Sequence, residues 1–171
     1  FVWNRDRWDG FALRDDDIII STAPKCGTTW MQMQCALLLF RTPQLPAPLA
    51  RLSPWLDMNI RPLDEVRADL DAQTHRRFIK THLPLAALPW HDHVTYLHVA
   101  RDPRDAALSW DNHMANMDFD RFLEARAEAV GLDDLAELGP PPDLPEDPVD
   151  RFWLWVEGDG ASDEMSRLEA L

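Results

Sequence analysis

The sequence predicts an α/β fold, a parallel β-sheet flanked by helices, and three observations predict it. The β-branched run at 17–22 has the continuous apolar character of a strand buried on both faces. A short loop containing Pro24 and Gly27 leads from it into a strongly apolar helical stretch. Two further strand-like runs, 77–81 and 94–100, alternate with helical segments, the order expected when parallel strands are joined by helical crossovers.

The elements follow in order. Between 28 and 41, Trp30, Met31, Met33, Cys35, Ala36, Leu37, Leu38, Leu39 and Phe40 make an apolar helix, with Thr28 and Thr29 as its expected caps. Strand, loop and helix is the order of a phosphate-binding βα unit. A connection rich in proline (Pro43, Pro46, Pro48, Pro54) leads to a helix at 62–72 and the strand at 77–81. The third strand precedes a helix opening at Asp102-Pro103, where proline suits the first turn, and running to 116. Residues 119–130 read as a helix, 139–148 as a loop with five prolines, and 149–156 as a last helix before a polar tail. No internal repeat is visible, and 171 residues predict one domain spanning 1–171.

Composition narrows the class. A hydrophobic content of 46%, with eight Trp and seven Phe, supports a globular core. No run approaches a membrane span, and the first residues lack the apolar stretch of a signal peptide. Cys26 and Cys35 give neither a disulfide framework nor metal spacing, so a reducing cytoplasm is expected. The net charge of −13 is unevenly placed: residues 1–110 carry thirteen basic and thirteen acidic residues, residues 111–171 four and seventeen. The acidic part argues against a general nucleic-acid binder. It leaves room for a small anionic ligand in the neutral part.

Lysine is the most selective signal. Only Lys25 and Lys80 occur, and the other fifteen basic residues are arginine. Lys25 lies in Thr22-Ala-Pro-Lys-Cys-Gly-Thr-Thr-Trp30, where a lysine, a glycine and two hydroxyls crowd the point at which helix N–H groups face outward. This is not GxxxxGK[ST], because the lysine precedes a single glycine. Lys80 lies in Phe78-Ile-Lys-Thr-His-Leu-Pro84. A third stretch, Tyr96-Leu-His-Val-Ala-Arg-Asp-Pro-Arg-Asp-Ala-Ala-Leu-Ser109, sets an arginine at a strand end and a serine about two turns into the next helix.

In this order, the three stretches resemble the sulfotransferases that use 3′-phosphoadenosine 5′-phosphosulfate (PAPS): the 5′-phosphosulfate loop at 22–30, the strand end with the catalytic histidine at 78–84, and the 3′-phosphate motif at 96–109. The resemblance covers roughly residues 8–113, beginning at Trp8-Asp-Gly-Phe11. It implies a P-loop NTPase-like three-layer sandwich, with PAPS as co-substrate, 3′-phosphoadenosine 5′-phosphate (PAP) as product, and no required metal. By the same resemblance, Lys25 stabilises charge on the leaving phosphate, and Cys26, Gly27, Thr28 and Thr29 line the 5′-phosphate. Trp30 either stacks on adenine or starts the core. His82 is the base, Lys80 either reaches the transferring group or is a plain strand-end charge, and Arg101 with Ser109 holds the 3′-phosphate. On a strand, Lys80 and His82 would share a face. Arg104 reads as a solvated helix-start charge.

Two departures stand out. Cys26 replaces the serine commonest at its position, and its place near Lys25 and a helix N-terminus predicts a lowered, oxidation-sensitive thiol. The C-terminal Gly-x-x-Gly-x-x-Lys of the family has no match; Gly158-Asp-Gly160 has the wrong spacing and no lysine. A non-catalytic sulfotransferase-like domain therefore stands as the alternative, and a nucleotide kinase with a variant phosphate loop as a weaker one. The acceptor is a small molecule. Apolar residues at 45–63 (Trp55, Leu56, Met58, Ile60) and 113–122 (Met114, Met117, Phe119) are either its pocket, which suggests a hydrophobic alcohol or phenol, or core. No dimer motif is legible.

Overall fold

The computed structural model describes residues 2–138 and 143–157. Three strands, β1 (Ile18–Thr22), β2 (Phe78–Thr81) and β3 (Thr95–Val99), form a parallel sheet in the order β2-β1-β3. The register places Ile18 against Phe78 and Thr95, and Ser21 against Thr81 and His98, so all three strands end at one level. Central β1 is buried throughout, as its unbroken apolar run predicts. The outer strand β3 is partly exposed.

The alternation of β1 side chains builds two cores. Ile18 and Ile20 pack with Cys35 and Ala36 of α1 (Thr28–Phe40) and with Leu52 of α2 (Leu49–Leu52). Ile19 faces the other way, with Ile79, Leu56, Trp8, and Val66 and Leu70 of α3 (Leu63–Asp71). Helices on one face, the sheet, and a helix on the other make three layers. Helix α4 (Pro103–Ala115) opens with Pro103 after Asp102, whose side chain accepts a hydrogen bond from the Arg104 N–H. Helices α5 (Phe119–Val130), α6 (Asp133–Leu138) and α7 (Pro148–Glu157) follow. Of these, α7 is tied to α4 by Arg151, which donates to both oxygens of Asp111 at 2.6 and 2.9 Å.

Expected elements and observed ones agree at 28–41, 62–72, 77–81, 94–100, 103–116 and 119–130 within two residues. The expected loop at 139–148 is non-helical at 143–147, and its first four residues and the polar tail from 158 lie outside the described residues. Helices α2 and α6 were not expected; both are short, and α2 sits among prolines.

Candidate active site

The loop after β1 turns sharply. The Cys26 N–H donates to the Ala23 carbonyl at 3.2 Å, and Lys25 and Gly27 take left-handed backbone conformations, with φ of 66° and 99°. Gly27 is the helix N-cap, with no side-chain cap bond. This corrects the expectation that Thr28 and Thr29 cap α1: the left-handed turn that starts the helix needs a residue without a Cβ. Thr28 instead turns its hydroxyl inward to bond Thr22 Oγ1 at the end of β1. The N–H groups of the first helical turn, at Thr28, Thr29 and Trp30, have no intrahelical acceptor and face the loop's mouth. Thr29 and Trp30 are exposed; at 70% exposure Trp30 is not a core residue.

Cys26 overturns its expected chemistry. It is buried against Ala23 and Ala106, and burial pushes its thiol up despite the opposing Arg101. Desolvation of a thiolate outweighs the nearby positive charge.

His82 lies one residue beyond β2. Its Nδ1 is 2.6 Å from the carbonyl oxygen of Thr22, the last residue of β1. A carbonyl only accepts, so Nδ1 carries the proton and Nε2 keeps its lone pair. Burial pushes the imidazole down to about 4; the Thr22 bond opposes this, and Lys80, Lys25 and His113 add to it. The four groups therefore share one neighbourhood. The rings of Trp55 and Trp3 meet the imidazole edge-on, with centroids at 4.5 and 5.7 Å.

Lys80 reaches the same wall from β2. Its Nζ lies 4.3 Å from the Trp55 ring centroid, so Lys80 and His82 meet across this indole, although the strand ends between them at Thr81. Burial lowers the ammonium's pKa and Asp57 opposes that shift. Among the described residues, neither lysine forms an ion pair within 4 Å, while arginines supply nearly all such pairs.

Arg101, just past β3, donates from Nη1 to the Lys25 carbonyl at 3.3 Å and faces Asp105 at 3.8 Å. The structure thus brings Arg101 to the lysine loop across a sequence gap of 76 residues. Ser109 sits half-buried on α4, two turns on. Arg104 is exposed and paired with Asp102.

Of the apolar candidates for a pocket, Leu56 belongs to the core, fully buried. Met114 lines a groove between α4 and α7 with Trp110, Phe152 and Trp155, and the Trp55 ring meets His82. Sequence reasoning missed Trp3 and Asp57. Asp57 was one acidic residue among thirty, with nothing in its neighbours to single it out. Among the described residues, no three His, Cys, Asp or Glu are grouped to hold a metal ion, and no helix is long and apolar enough to cross a membrane.

Comparison with known proteins fits this geometry. The model of the sulfotransferase domain matches residues 15–153. Glycolipid sulfotransferases of Mycobacterium bovis and Mycobacterium tuberculosis are 49% identical over 156 and 157 residues, 89% of this chain and 47% of theirs. The cytosolic sulfotransferase 1 of Danio rerio is 32% identical over 118 residues, 64% of this chain and 40% of its own. The chain spans about half the length of the curated relatives it matches. Retinol dehydratase solved with retinol and PAP superposes with a TM-score of 0.50 at 25% identity, covering 72% of this chain and 50% of that one. The same enzyme with androsterone and inactive cofactor PAP gives 0.52 at 24%, covering 74% and 50%, and supports the fold. A left-handed lysine loop opening a helix, a histidine bonded to the strand that feeds it and a family model over most of the chain lead to one conclusion: this chain belongs to the sulfotransferase family.

Proposed function

We propose that the chain carries the donor and base residues of a cytoplasmic, PAPS-dependent sulfotransferase acting on a hydroxyl or amine of a small, hydrophobic acceptor. The observation that carries this reading is the bond from His82 Nδ1 to the Thr22 carbonyl. It ties the base to the strand whose end becomes the lysine loop and leaves Nε2 ready to accept a proton. The names of the mycobacterial relatives support catalysis over the non-catalytic alternative.

The residues present suit a phosphosulfate. The donor set is one ammonium, the outward N–H groups of a helix start and the Thr29 hydroxyl, which together favour an anion. When bound, the donor supplies a sulfuryl group whose bond to the 5′-phosphate oxygen breaks as the acceptor oxygen attacks. Lys25 stabilises the charge growing on that oxygen. Gly27 and the first turn of α1 hold the 5′-phosphate, with Cys26 as a buried spacer. His82 Nε2 takes the acceptor's proton, which at neutral pH it does as a neutral imidazole. Lys80 adds positive charge on the acceptor side. Arg101 and Ser109 select a 3′-phosphorylated nucleotide, and exposed Trp30 offers a face to adenine.

Calorimetric titration with PAP beside ADP tests this. Micromolar PAP binding is expected, with ADP at least about tenfold weaker and binding lost in the Lys25→Ala, Arg101→Ala double variant. Equal binding of ADP, or PAP binding unaffected in the folded double variant, overturns the reading.

A further inference from the structure

A buried carboxylate stands behind the reaction site. Asp57 is fully buried, and its Oδ2 accepts hydrogen bonds from Trp8 Nε1 at 3.0 Å and from Thr81 Oγ1. Thr81 is the residue between Lys80 and His82, and its Oγ1 in turn accepts from the Leu83 N–H at 2.9 Å. One carboxylate oxygen therefore pins the turn at which β2 ends. The other oxygen, Oδ1, is buried with no hydrogen bond within 3.5 Å, while the Trp55 side chain and the Asp57 backbone add weaker polar contacts to the carboxylate. The segment carrying Asp57 also carries Trp55, whose backbone bridges to Lys80 and whose ring touches both Lys80 and His82.

Burying a carboxylate among neutral donors alone is unfavourable unless an opposite charge lies near. Two cations face Asp57: Lys80 from β2 and Arg7 from the turn Arg5–Trp8. Arg7 is already spread over the Met58 and Arg61 carbonyls, both at 2.8 Å. Lys80 has no ion-pair partner within 4 Å among the described residues, and Asp57 opposes the lowering of its pKa by burial. Around His82 the facing charges are Lys80, Lys25 and His113.

We propose that Asp57 is the positioning residue of this site: its carboxylate fixes Thr81 between Lys80 and His82 and so holds both side chains against Trp55. The proposal rests on the reading of Lys80 and His82 as reaction-site groups. It assigns Asp57 no contact with donor or acceptor; it acts through the two residues flanking Thr81. Burial raises the Asp57 carboxyl to about 6, with the Thr81 and Trp8 bonds opposing, so at neutral pH it is largely charged. That is the state the role requires.

The scarcity of lysine makes the test clean. A chain labelled with ¹³C-lysine shows two side-chain Cε signals, and ¹⁵N-histidine labelling reports the His82 tautomer. In Asp57→Asn, which keeps an acceptor for Trp8 and Thr81, the Lys80 signal is expected to titrate about one pH unit lower or more, with the Lys25 signal as internal reference. In Thr81→Val, which keeps the carboxylate but loses the anchor, His82 is expected to lose its Nδ1–H signature and average between tautomers. Thr81→Ser should restore it. A Lys80 midpoint within about 0.3 unit of wild type in Asp57→Asn overturns the proposal. So does an unchanged His82 tautomer in folded Thr81→Val, which decides the matter should Asp57→Asn fail to fold. Adding PAP to the labelled wild type separates the two readings. Shifts of both lysine signals support the donor site, and their absence overturns it and the role of Asp57 there, while the Asp57–Lys80 coupling is still read from the titrations.

Discussion

Gly27 and His82 show how single residues set local backbone and protonation. At Gly27 an added Cβ would meet Val99 Cγ1 at 3.9 Å, an ordinary contact, so space does not demand glycine; the φ of 99° does. Gly27→Ala is therefore expected to lose about 1–2 kcal/mol in urea unfolding, from backbone strain alone. A loss near zero would mean that the loop relaxes to a right-handed turn. His82 makes a pH prediction. Its folded pKa of about 4 lies below the ordinary 6.5, so the unfolded chain takes up the proton first. Its contribution to stability is full above about 6.5 and is lost as pH falls toward 4, by about 3 kcal/mol at most. Asp57 works in the opposite sense. Raised to about 6, it is protonated more readily in the folded state and adds stability as pH falls through that value. The two nearly offset each other between pH 4 and 6. In melts over a pH series, His82→Asn should flatten the acid loss and Asp57→Asn should steepen it; parallel curves for all three proteins would contradict both assignments.

At the scale of elements, two arginines hold pieces together. Arg77, just ahead of β2, donates to both oxygens of Asp17, just ahead of β1, and both side chains are buried. The pair fixes the register of the strands that later bring Thr22 to His82. Asp17→Ala leaves the buried guanidinium only the exposed Asp71 carboxylate, 3.5 Å from Nη1, and is expected to cost about 3 kcal/mol in denaturant unfolding. Arg151 is the second. Besides Asp111, it donates to the carbonyls of Pro145 and Glu146 at 3.0 and 2.7 Å, so one side chain organises both the approach to α7 and its dock on α4. Arg151→Ala should speed amide exchange in α7 by about tenfold while β1 to β3 keep their protection. The helices and strands were legible from local sequence: the unbroken β-branched run of β1, the Asp102-Pro103 opening of α4, the apolar stretch of α1. Helix α2 was not, because four residues among prolines carry no period. Of the candidate site, Lys25, His82 and Arg101 were singled out because their stretches resemble the family's motifs. Asp57 was not, because what distinguishes it is burial, and its partners Thr81 and Trp8 lie 24 and 49 residues away.

Over the whole molecule, charge is unevenly divided: residues 1–110 are balanced and residues 111–171 strongly acidic. Which field an anionic nucleotide feels is decided by the sign of its salt dependence. With Lys25 and Arg101 at the loop, PAP binding should weaken by about tenfold between 0.05 and 0.5 M salt, measured by calorimetry. Were the acidic field of residues 111–157 dominant, salt would strengthen binding instead. Sheet and site are also one object in time. The Thr22 carbonyl and His82 are 60 residues apart in sequence, and Ser21 Oγ reaches the Leu83 carbonyl over 62. Neither bond can form until β1 and β2 close that loop, a slow, entropy-limited event in folding. Choosing which imidazole nitrogen holds the proton is thus a late step of folding itself. A chain still searching for its strand pairing has a solvated histidine in both tautomers and no oriented imidazole.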